Sequence, residues 1–490
     1  MSKKAKKEGW IVPVSEKLAM VIGSGSIPAM QTFVGTFLAI YLLMVGIDAK
    51  IAAVVLLVIK AWDAIDDVVF GYLVDKVRFK ERKSKFGKWV FSGRYMPWFR
   101  ILILIIPVGT LIIFNLNTSL PLSIRIAQYV FGYVLFDAGC TVSGAYGLLP
   151  LSMTNNYDER NFLLAWTVMG QGLGSLPVVF LGTMLVAGSL GYSGAATVFS
   201  IIGLVLAIIP ALFVKERNVT DYDEKQMKEY NIKEMFKVLK TLPELIALGV
   251  GNLLWGIFYT QGFGLFEAYY LYNNPMLSVI TTMFAVIPTI VLTPLLPLIY
   301  KRIDKIVLAR IACLIFAVSG AFVYFPGPPF FIRHLPLLFM LGAFSATGYT
   351  MTMMSSAQLV PDLAELAKYR SGKDVAGIVG AVMSFISKMV NSLVTSISLL
   401  ILSAYGWQSV EANSFEELAK LNEQGIGLQT DLALRGLWNV GHLFPMFGFA
   451  LAFVAYLFVR VKKDRVQVYM KVNSGVMTRE EGEAQLAALK

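Results

Sequence analysis

The sequence predicts an all-α membrane protein with twelve transmembrane helices in two pseudo-symmetric six-helix halves. Three observations lead to this fold class: the composition, the apolar runs and the distribution of positive charge. Of the 490 residues, 56% are hydrophobic and only 15% are charged. A soluble domain carries about 25% charged residues. This chain therefore has too few charges to cover a globule, and part of its surface must face lipid.

Long apolar runs follow one another along the chain. A helix that crosses a bilayer needs about 20 apolar residues, whereas membrane β-strands would show alternating polarity instead. Runs of sufficient length occur at 18–45, 51–74, 95–115, 122–150, 162–188, 192–214, 243–272, 277–300, 306–325, 335–357, 376–404 and 437–460. These twelve runs are the predicted spans.

A polar segment divides the runs into six and six, and it sets the predicted domain boundaries. These are an N-terminus over 1–16, a first half over 17–214, a connector over 215–242, a second half over 243–460 and a tail over 461–490. Capping-box patterns at Ser414–Glu417 and Thr478–Glu481 predict two further short helices outside the spans.

Positive charge predicts the orientation. The net charge is +11, and the basic residues cluster in loops that follow even-numbered runs, above all in segment 75–94. The positive-inside rule places both termini and the connector in the cytoplasm, with the spans in the inner or plasma membrane. The charge thus reflects topology and not a nucleic-acid partner. Cys140 and Cys313 lie inside apolar runs, a placement that predicts neither a disulfide framework nor a zinc site.

Two six-helix halves joined by a cytoplasmic connector are typical of secondary transporters, in which the substrate binds at mid-membrane between the halves. The sequence has no Gly-rich phosphate loop followed by Lys and Ser/Thr, which disfavours ATP-driven transport. We expect a monomeric transporter, not an enzyme, whose partners are a small-molecule substrate and the lipid bilayer.

Ionisable residues inside the second run indicate a cation site. Each charge at a helix centre costs about 2.5–3.5 kcal/mol. Asp63, Asp67 and Asp75 share one helix face by their spacing of four or eight, Asp66 borders this face, and Lys60 precedes Asp63 by three residues. Three acids within one turn cannot all be ionised and unpaired, and oxygen ligands suit Na⁺. We predict cation binding at Asp63, Asp66 and Asp67, with Na⁺ on Asp63 and Asp67, and coupling or gating roles for Lys60 and Asp75. The alternative is a static ion-pair network.

The eleventh run contains Lys388, about a dozen residues from its cytoplasmic end. This depth is too great for comfortable snorkelling to the interface, so the lysine needs an acidic partner. The acids of the second run are the expected partner, in a pair that changes with the access state. The alternative is a purely structural pair.

Several polar and aromatic residues inside runs are candidates for the substrate pocket, because sugar sites combine aromatic faces with hydrogen-bonding groups. The candidates are Asp137, Tyr146, Trp166, Gln171, Asn252, Trp255 and Lys388. The alternative for each is helix packing. Glu267 lies near the outer end of its run and is interpreted as solvated, and His442 is interpreted as a packing residue.

The second run and the loop after it resemble a known family. The matching residues are Trp62–Asp67, Gly71, Asp75–Lys76, Lys85–Lys88 and Gly93–Trp98, with a second match over Pro361–Lys373 that includes Arg370. They resemble the glycoside–pentoside–hexuronide:cation symporters, the melibiose-permease-like branch of the major facilitator superfamily. The resemblance implies the major facilitator fold and sugar or glycoside import driven by Na⁺, H⁺ or Li⁺.

The resemblance also assigns individual residues. Asp63 and Asp67 match the paired cation-binding aspartates of the family, and Asp66 stands where the family often has Asn. Thr141 lies within one residue of a position that supplies a cation-ligating hydroxyl. Lys388 falls at the family's helix XI lysine, and Arg370 is grouped with it as a coupling or gating residue.

At the positions where the family binds sugar, this sequence differs from the family's residues. Ile27, Val142 and Val168 stand where relatives that take galactosides have two aspartates and an arginine, while Tyr146 stands at the stacking aromatic. A galactoside is therefore disfavoured, and another glycoside, an oligosaccharide, a uronide or a non-sugar substrate remains open.

The function predicted from the sequence is a cation-coupled (Na⁺ or H⁺) symporter that imports a sugar, glycoside or uronide by alternating access and needs no cofactor. The apolar replacements favour an alternative, a proton-coupled exporter of amphipathic compounds or a lysolipid transporter. A receptor without transport would have no need of the acid cluster.

Overall fold

A computed structural model describes residues 10–60, 62, 95–143, 146, 149–154, 156–217, 242–259, 262–372 and 376–489. Within these residues all regular secondary structure is helical, apart from one isolated antiparallel bridge between Val45 and Glu411. The all-α class predicted from the sequence is confirmed.

The described helices are numbered here in chain order. The first ten are α1 Val14–Ser24, α2 Ser26–Met44, α3 over 49–60, α4 Met96–Leu102, α5 Ile105–Ile113, α6 Leu122–Ser143, α7 Leu149–Met153, α8 Tyr157–Pro177, α9 Thr183–Ala187 and α10 Gly191–Phe213. The others are α11 Pro243–Phe258, α12 Gly264–Tyr272, α13 Leu277–Ile299, α14 Lys305–Tyr324, α15 Pro328–Arg333, α16 Leu335–Ser371, α17 Ala376–Ala404, α18 Phe415–Glu423, α19 Asp431–Trp438, α20 Phe444–Tyr456, α21 Lys463–Asn473 and α22 Arg479–Ala488. Short π-helices at Val178–Gly182 and Asn439–Leu443 join α8 to α9 and α19 to α20.

The chain forms two compact units. Unit 1 comprises Met1–Gln226 and Gln408–Leu428, and unit 2 comprises Met227–Trp407 and Gln429–Lys490. Unit 1 thus holds α1 to α10 and α18, while the remaining helices belong to unit 2. The 408–428 segment is assigned to unit 1 although the helices on either side of it in the sequence belong to unit 2.

Many helices are long and apolar enough to cross a bilayer. In the part of the chain that the structure describes, nine stretches qualify: Val14–Met44, Met96–Ile113, Phe162–Ala187, Gly191–Phe213, Leu277–Leu296, Lys305–Tyr324, Leu335–Ser371, Ile378–Ala404 and Asp431–Tyr456. Large apolar side chains such as Val205 and Phe322 are more than half exposed on them, as helices facing lipid require. The count of twelve stays a prediction.

The two units repeat one contact between an arginine and the end of a helix. In unit 1, Arg100 on α4 donates from Nε to the carbonyl oxygen of Ala211 at 2.9 Å, at the end of α10. In unit 2, Arg310 on α14 donates from Nε to Tyr456 O at 3.1 Å and from Nη2 to Val459 O at 2.9 Å, at the end of α20. The last carbonyls of a helix lack partners within it and carry negative partial charge. The repeated arginine–carbonyl contact supports the predicted pseudo-symmetry of the halves.

The 408–428 segment binds the rest of unit 1 through its backbone. Val410 N donates to Leu43 O at 3.0 Å, and Ala412 N donates to Met44 O at 2.7 Å. Arg125 on α6, itself buried, donates from Nη1 to Val45 O at 2.6 Å and pairs with Glu411 at 2.7 Å.

Both short helices predicted from capping boxes are confirmed. The Ser414 hydroxyl accepts from Glu417 N at 3.2 Å and begins α18, which lies in the 408–428 segment. Thr478 and Glu481 complete both hydrogen bonds of a capping box and begin α22.

We expect that Arg125→Met loosens the 408–428 segment. The substitution removes the guanidinium that bonds Val45 O and Glu411 in a buried position, which should cost about 1–3 kcal/mol. Limited proteolysis within 408–428 should become faster and the melting temperature should fall. The matched control is Lys420→Met, because the exposed Lys420–Glu416 pair is of a kind that contributes about 0–1 kcal/mol. Equal proteolysis in the two variants would contradict the role of Arg125.

We also expect Glu159 to make unit 1 sensitive to acid. Burial by itself would raise the pKa of Glu159, but bonds from Lys17, Thr154 and the Ile11 and Val12 amides outweigh it and hold the pKa below its usual range. A carboxyl whose pKa is lowered on folding adds stability above its unfolded pKa and loses that contribution as the pH falls through the folded pKa.

Glu159→Gln should therefore lower the melting temperature at pH 7, and the deficit should shrink as the pH falls below about 4.3, the ordinary glutamate pKa. Scanning fluorimetry of the detergent-solubilised protein measures both values. A deficit that is constant over this range would show that the charge of Glu159 does not contribute. The exposed Glu416→Gln variant is the control.

Candidate functional site

A polar stripe runs along α6 in unit 1. Tyr133, Asp137 and Thr141 are spaced by four and share one helix face. Asp137 is buried and Thr141 is half-buried. The Lys60 ammonium lies 5.3 Å from the centroid of the Tyr133 ring, a distance at which the ring attracts a cation. The structure therefore brings Lys60, predicted as a coupling residue, to the stripe that carries Asp137 and Thr141.

The acids predicted to bind the cation lie outside the described residues. They are Asp63, Asp66, Asp67 and Asp75. Within the described ranges, no group of three or more His, Cys, Asp or Glu side chains is arranged to hold a metal ion. The cation site therefore stays a prediction, and Lys60 is the described charged residue that stands nearest to it in the sequence.

Tyr146, the predicted stacking aromatic, is engaged within unit 1. Its hydroxyl donates to Met20 O on α1 at 3.0 Å, and its ring centroid lies 4.6 Å from that of Phe99 on α4. Only 4% of the residue is exposed. A sugar could stack on this ring only after these contacts rearrange.

The other predicted pocket residues of unit 1 lie on α8, where they are accessible. Trp166 is 40% exposed and packs against Phe162, Gln171 is exposed, and Val168 is 67% exposed. Ile27 on α2 is buried. Val168, one of the departures from the family pattern, is thus a surface position of α8, whereas Ile27 belongs to the core.

Asn252 and Trp255 on α11 contact each other at 3.4 Å and share a further hydrogen-bond partner in unit 2 that the sequence did not indicate. The Tyr456 hydroxyl, at the end of α20, donates to Asn252 Oδ1 at 2.6 Å and accepts from Trp255 Nε1 at 3.1 Å. Tyr349 packs against Trp255 and stacks on Tyr259 with ring centroids 4.3 Å apart. The result is a packed aromatic cluster with an amide at its edge; aromatic faces and hydrogen-bonding groups are the combination that sugar recognition uses. A tyrosine in the last turn of an apolar helix gives no sequence signal of this role.

Lys388 and Arg370, the predicted coupling residues of unit 2, have different surroundings. Lys388 is exposed in the middle of α17. Arg370, at the end of α16, donates through both terminal nitrogens to the two carboxylate oxygens of Glu244, at 2.8 and 2.7 Å. Glu244 lies in the first turn of α11, so the bidentate pair fastens the start of one helix to the end of another. The coupling roles stay predictions.

A carboxylate–imidazole pair in unit 2 was not foreseen. Glu267 and His442 form a hydrogen bond of 2.9 Å between Oε1 and Nε2. Both line a cavity of about 230 Å³ that is otherwise mainly apolar and contains Tyr259, Tyr272 and Phe316. The sequence signal was present, because an acid and a histidine each interrupt an apolar run, but two residues 175 positions apart cannot be paired from the sequence.

These features define a class of protein. Two all-helical units repeat one helix-end contact, contain many helices of membrane-spanning length and place polar clusters along them, which is the organisation of a multi-pass transporter of the major facilitator fold. A family described as MFS/sugar transport protein matches residues 21–463, and the chain belongs to this family. Its members are transporters and not enzymes, and the predicted resemblance is confirmed.

Individual relatives agree with this assignment. The chain is 24% identical over 474 residues to the uncharacterized symporter YnaJ of Bacillus subtilis (strain 168), with 93% of each chain covered. It is 25% identical over 471 residues to the isoprimeverose transporter of Lactiplantibacillus pentosus, with 92% of this chain and 90% of the relative covered. The crystal structure of nucleoside transporter NupG matches with a TM-score of 0.60 at 13% identity, covering 91% of this chain and 100% of that chain, which shows a shared fold.

We expect Asn252, Trp255 and Tyr456 to act as one hydrogen-bonded cluster. Tyr456→Phe leaves Asn252 Oδ1 and Trp255 Nε1 without the hydroxyl and should destabilise the protein by about 1–3 kcal/mol. Asn252→Ala should destabilise it similarly. Because the residues share a bond, the double variant should lose less than the sum of the two single losses. Thermal unfolding of the four proteins measures this coupling, and strict additivity would show that the bond contributes nothing.

Proposed function

We propose that the protein is a cation-coupled symporter that imports a sugar, glycoside or uronide by alternating access. The observation that carries the proposal is the contact of Lys60 with the α6 stripe, which holds the buried Asp137 and the half-buried Thr141. Lys60 precedes Asp63 by three residues, so the sequence leads from this contact directly into the acid cluster. Carboxylate and hydroxyl oxygens are the ligands that Na⁺ takes, and a shared carboxylate also binds a proton.

Unit 2 offers the features of a sugar site. The cluster of Trp255, Tyr259 and Tyr349 contains aromatic rings, and Asn252 supplies an amide beside them. The relative named as an isoprimeverose transporter supports a glycoside as the substrate class. In this proposal Lys388 and Arg370 couple the cation to the access state, both termini are cytoplasmic, and a monomer in the inner or plasma membrane is the working unit.

Export of an amphipathic compound, or transport of a lysolipid, is the second candidate. The observation that favours it is Val168, which is 67% exposed on α8 at a position where the resemblance implies an arginine. An accessible apolar side chain suits an acyl chain better than a polar sugar.

The test of the proposal uses the full-length protein in proteoliposomes. We expect Asp63→Asn and Asp67→Asn to abolish the stimulation of uptake by Na⁺ or by a proton gradient, because the amide removes the negative charge that binds the cation. By linkage, cation and substrate must raise each other's affinity by the same factor, so both variants should also lose the cation-dependent gain in substrate affinity. Asp431→Asn, an exposed acid on α19, is the control.

A thermal-shift screen with sugars, glycosides, uronides and lysolipids, each with and without Na⁺, identifies the substrate class, since a ligand of the folded protein stabilises it more as its concentration rises above its dissociation constant. A sugar shift enlarged by the cation supports symport. A shift with lysolipids alone would establish the second candidate, and cation dependence that survives in both aspartate variants would overturn the assigned site.

A further inference from the structure

The Glu267–His442 pair lies where two helices of unit 2 lose their regular form. α11 ends at Phe258 and α12 begins at Gly264, with Gly262 at φ +107° between them, and Glu267 is in the first turn of α12. His442 lies in the π-helix Asn439–Leu443 between α19 and α20. Interrupted helices and π-helical turns are common at functional sites of transporters.

Gly441 lies directly beside the carboxylate. A Cβ atom placed on Gly441 would stand 2.9 Å from Glu267 Oε2, so a larger residue there would displace the end of the glutamate side chain. The pair faces the 230 Å³ cavity, and so does Tyr272, whose buried hydroxyl has no hydrogen-bond partner among the described residues. The wall of the cavity is therefore polar at this end, where Glu267, His442 and Tyr272 lie.

Few titratable groups face the pair. Those that line the cavity with it are Tyr259 and Tyr272, and the neighbouring α13 and α20 carry no charged residue. On α14, the Cys313 thiol contacts Thr352 at 3.6 Å. Glu267 and His442 are therefore the carboxylate and the imidazole that the described residues place beside this cavity.

The charged residues of the other neighbouring elements lie on the surface or further along their helices. Arg333 and His334 beside α15, and Asp431 and Arg435 on α19, are exposed. On α14, Lys305 pairs with Asp362, and Arg310 donates to the carbonyl oxygens at the end of α20.

Two more elements complete this neighbourhood. The π-helix meets α17 at its far end, where Asn439 Nδ2 donates to the hydroxyl of Tyr405. Lys388 is 17 residues earlier, roughly 25 Å along the helix axis. On α16, the cavity wall ends at Ala346, and the acidic and basic residues of this helix begin 16 residues later, at Asp362, roughly 24 Å further along.

We propose that Glu267 and His442 form a proton-binding site in unit 2, separate from the acids of the second run. With Nε2–H donated to Oε1, the proton is added at Nδ1, and the charge of the pair changes from −1 to 0. Histidine is the side chain that ordinarily changes charge between pH 5 and 8. The pair lies between two interrupted helices, so losing its net charge changes the electrostatic energy of their arrangement. If this arrangement differs between the access states, proton binding favours one state over the other. Only the link to transport rests on the proposed function.

The protein has a built-in reporter of this proton. The rings of Trp438 and His442 lie with centroids 4.0 Å apart, and an imidazolium quenches the fluorescence of an adjacent indole. We expect the Trp438 emission, isolated as the difference between the wild type and Trp438→Phe, to fall on acidification with a single midpoint between pH 5 and 8.

Single substitutions distinguish proton binding by the Glu267–His442 pair from proton binding elsewhere in the protein. His442→Gln should abolish the transition, and Glu267→Gln should move its midpoint to lower pH by about one unit or more, because the anion that stabilises the imidazolium is removed. The matched control is His334→Gln, the other histidine of the chain, which is exposed and stacks on Phe330; its midpoint should equal that of the wild type. If His442→Gln fails to fold, the shift in Glu267→Gln decides. An unchanged midpoint in Glu267→Gln, or a transition that persists in His442→Gln, overturns the proposal.

Uptake into proteoliposomes between pH 5 and 8 tests the link to transport. The wild-type rate should depend on pH, and His442→Gln should flatten the profile while retaining the requirement for Asp63. A Trp438 transition in a protein that shows no coupled uptake would uphold the proton site and reject the proposed symport. Coupled uptake without the transition would uphold symport and reject the proton site.

Discussion

A charge placed among apolar helices is stable only beside a partner, and this constraint organises both units. Removal from water costs a charged side chain about 2.5–3.5 kcal/mol at the centre of a span. Arg100 and Arg310 meet the constraint with carbonyl groups at the ends of α10 and α20. Arg370 meets it with the carboxylate of Glu244, and Glu267 with the imidazole of His442. Each solution also joins two helices, so the satisfied charges connect elements that apolar packing alone would leave free to slide.

The same constraint bears on the Glu267–His442 pair, which lies beside irregular backbone. A regular helix satisfies its own amides and carbonyls, whereas an interrupted one leaves some of them available to side chains and ligands. α11 and α12 are separated at Gly262, and His442 lies in a π-helix. In unit 1, by contrast, Asp137 and Thr141 lie on one face of the uninterrupted α6. Unit 1 therefore presents oxygen atoms on a regular helix face, and unit 2 holds its carboxylate–imidazole pair where two helices are interrupted.

The candidate site was only partly accessible from the sequence. The spacing of the acids after Lys60, and the depth of Lys388, follow from counting residues, because helix period and membrane cost are properties of the chain itself. The cluster of Asn252, Trp255 and Tyr456 is different, since the tyrosine lies about 200 residues from the other two. The buried, engaged state of Tyr146 could not be foreseen either, because it depends on which helices pack against its ring.

By itself the sequence determined the all-helical membrane class and the family, because these depend on composition and local motifs. Tertiary structure alone decided which partner each isolated charge has. It showed that Arg370 binds Glu244 and that Glu267, interpreted from sequence as solvated, binds His442. It also assigned the 408–428 segment to unit 1, through Arg125 and the strand-like pairing at Val45. Such partners are brought together by packing between helices that are distant in the sequence, and no local sequence pattern identifies which residues will pair.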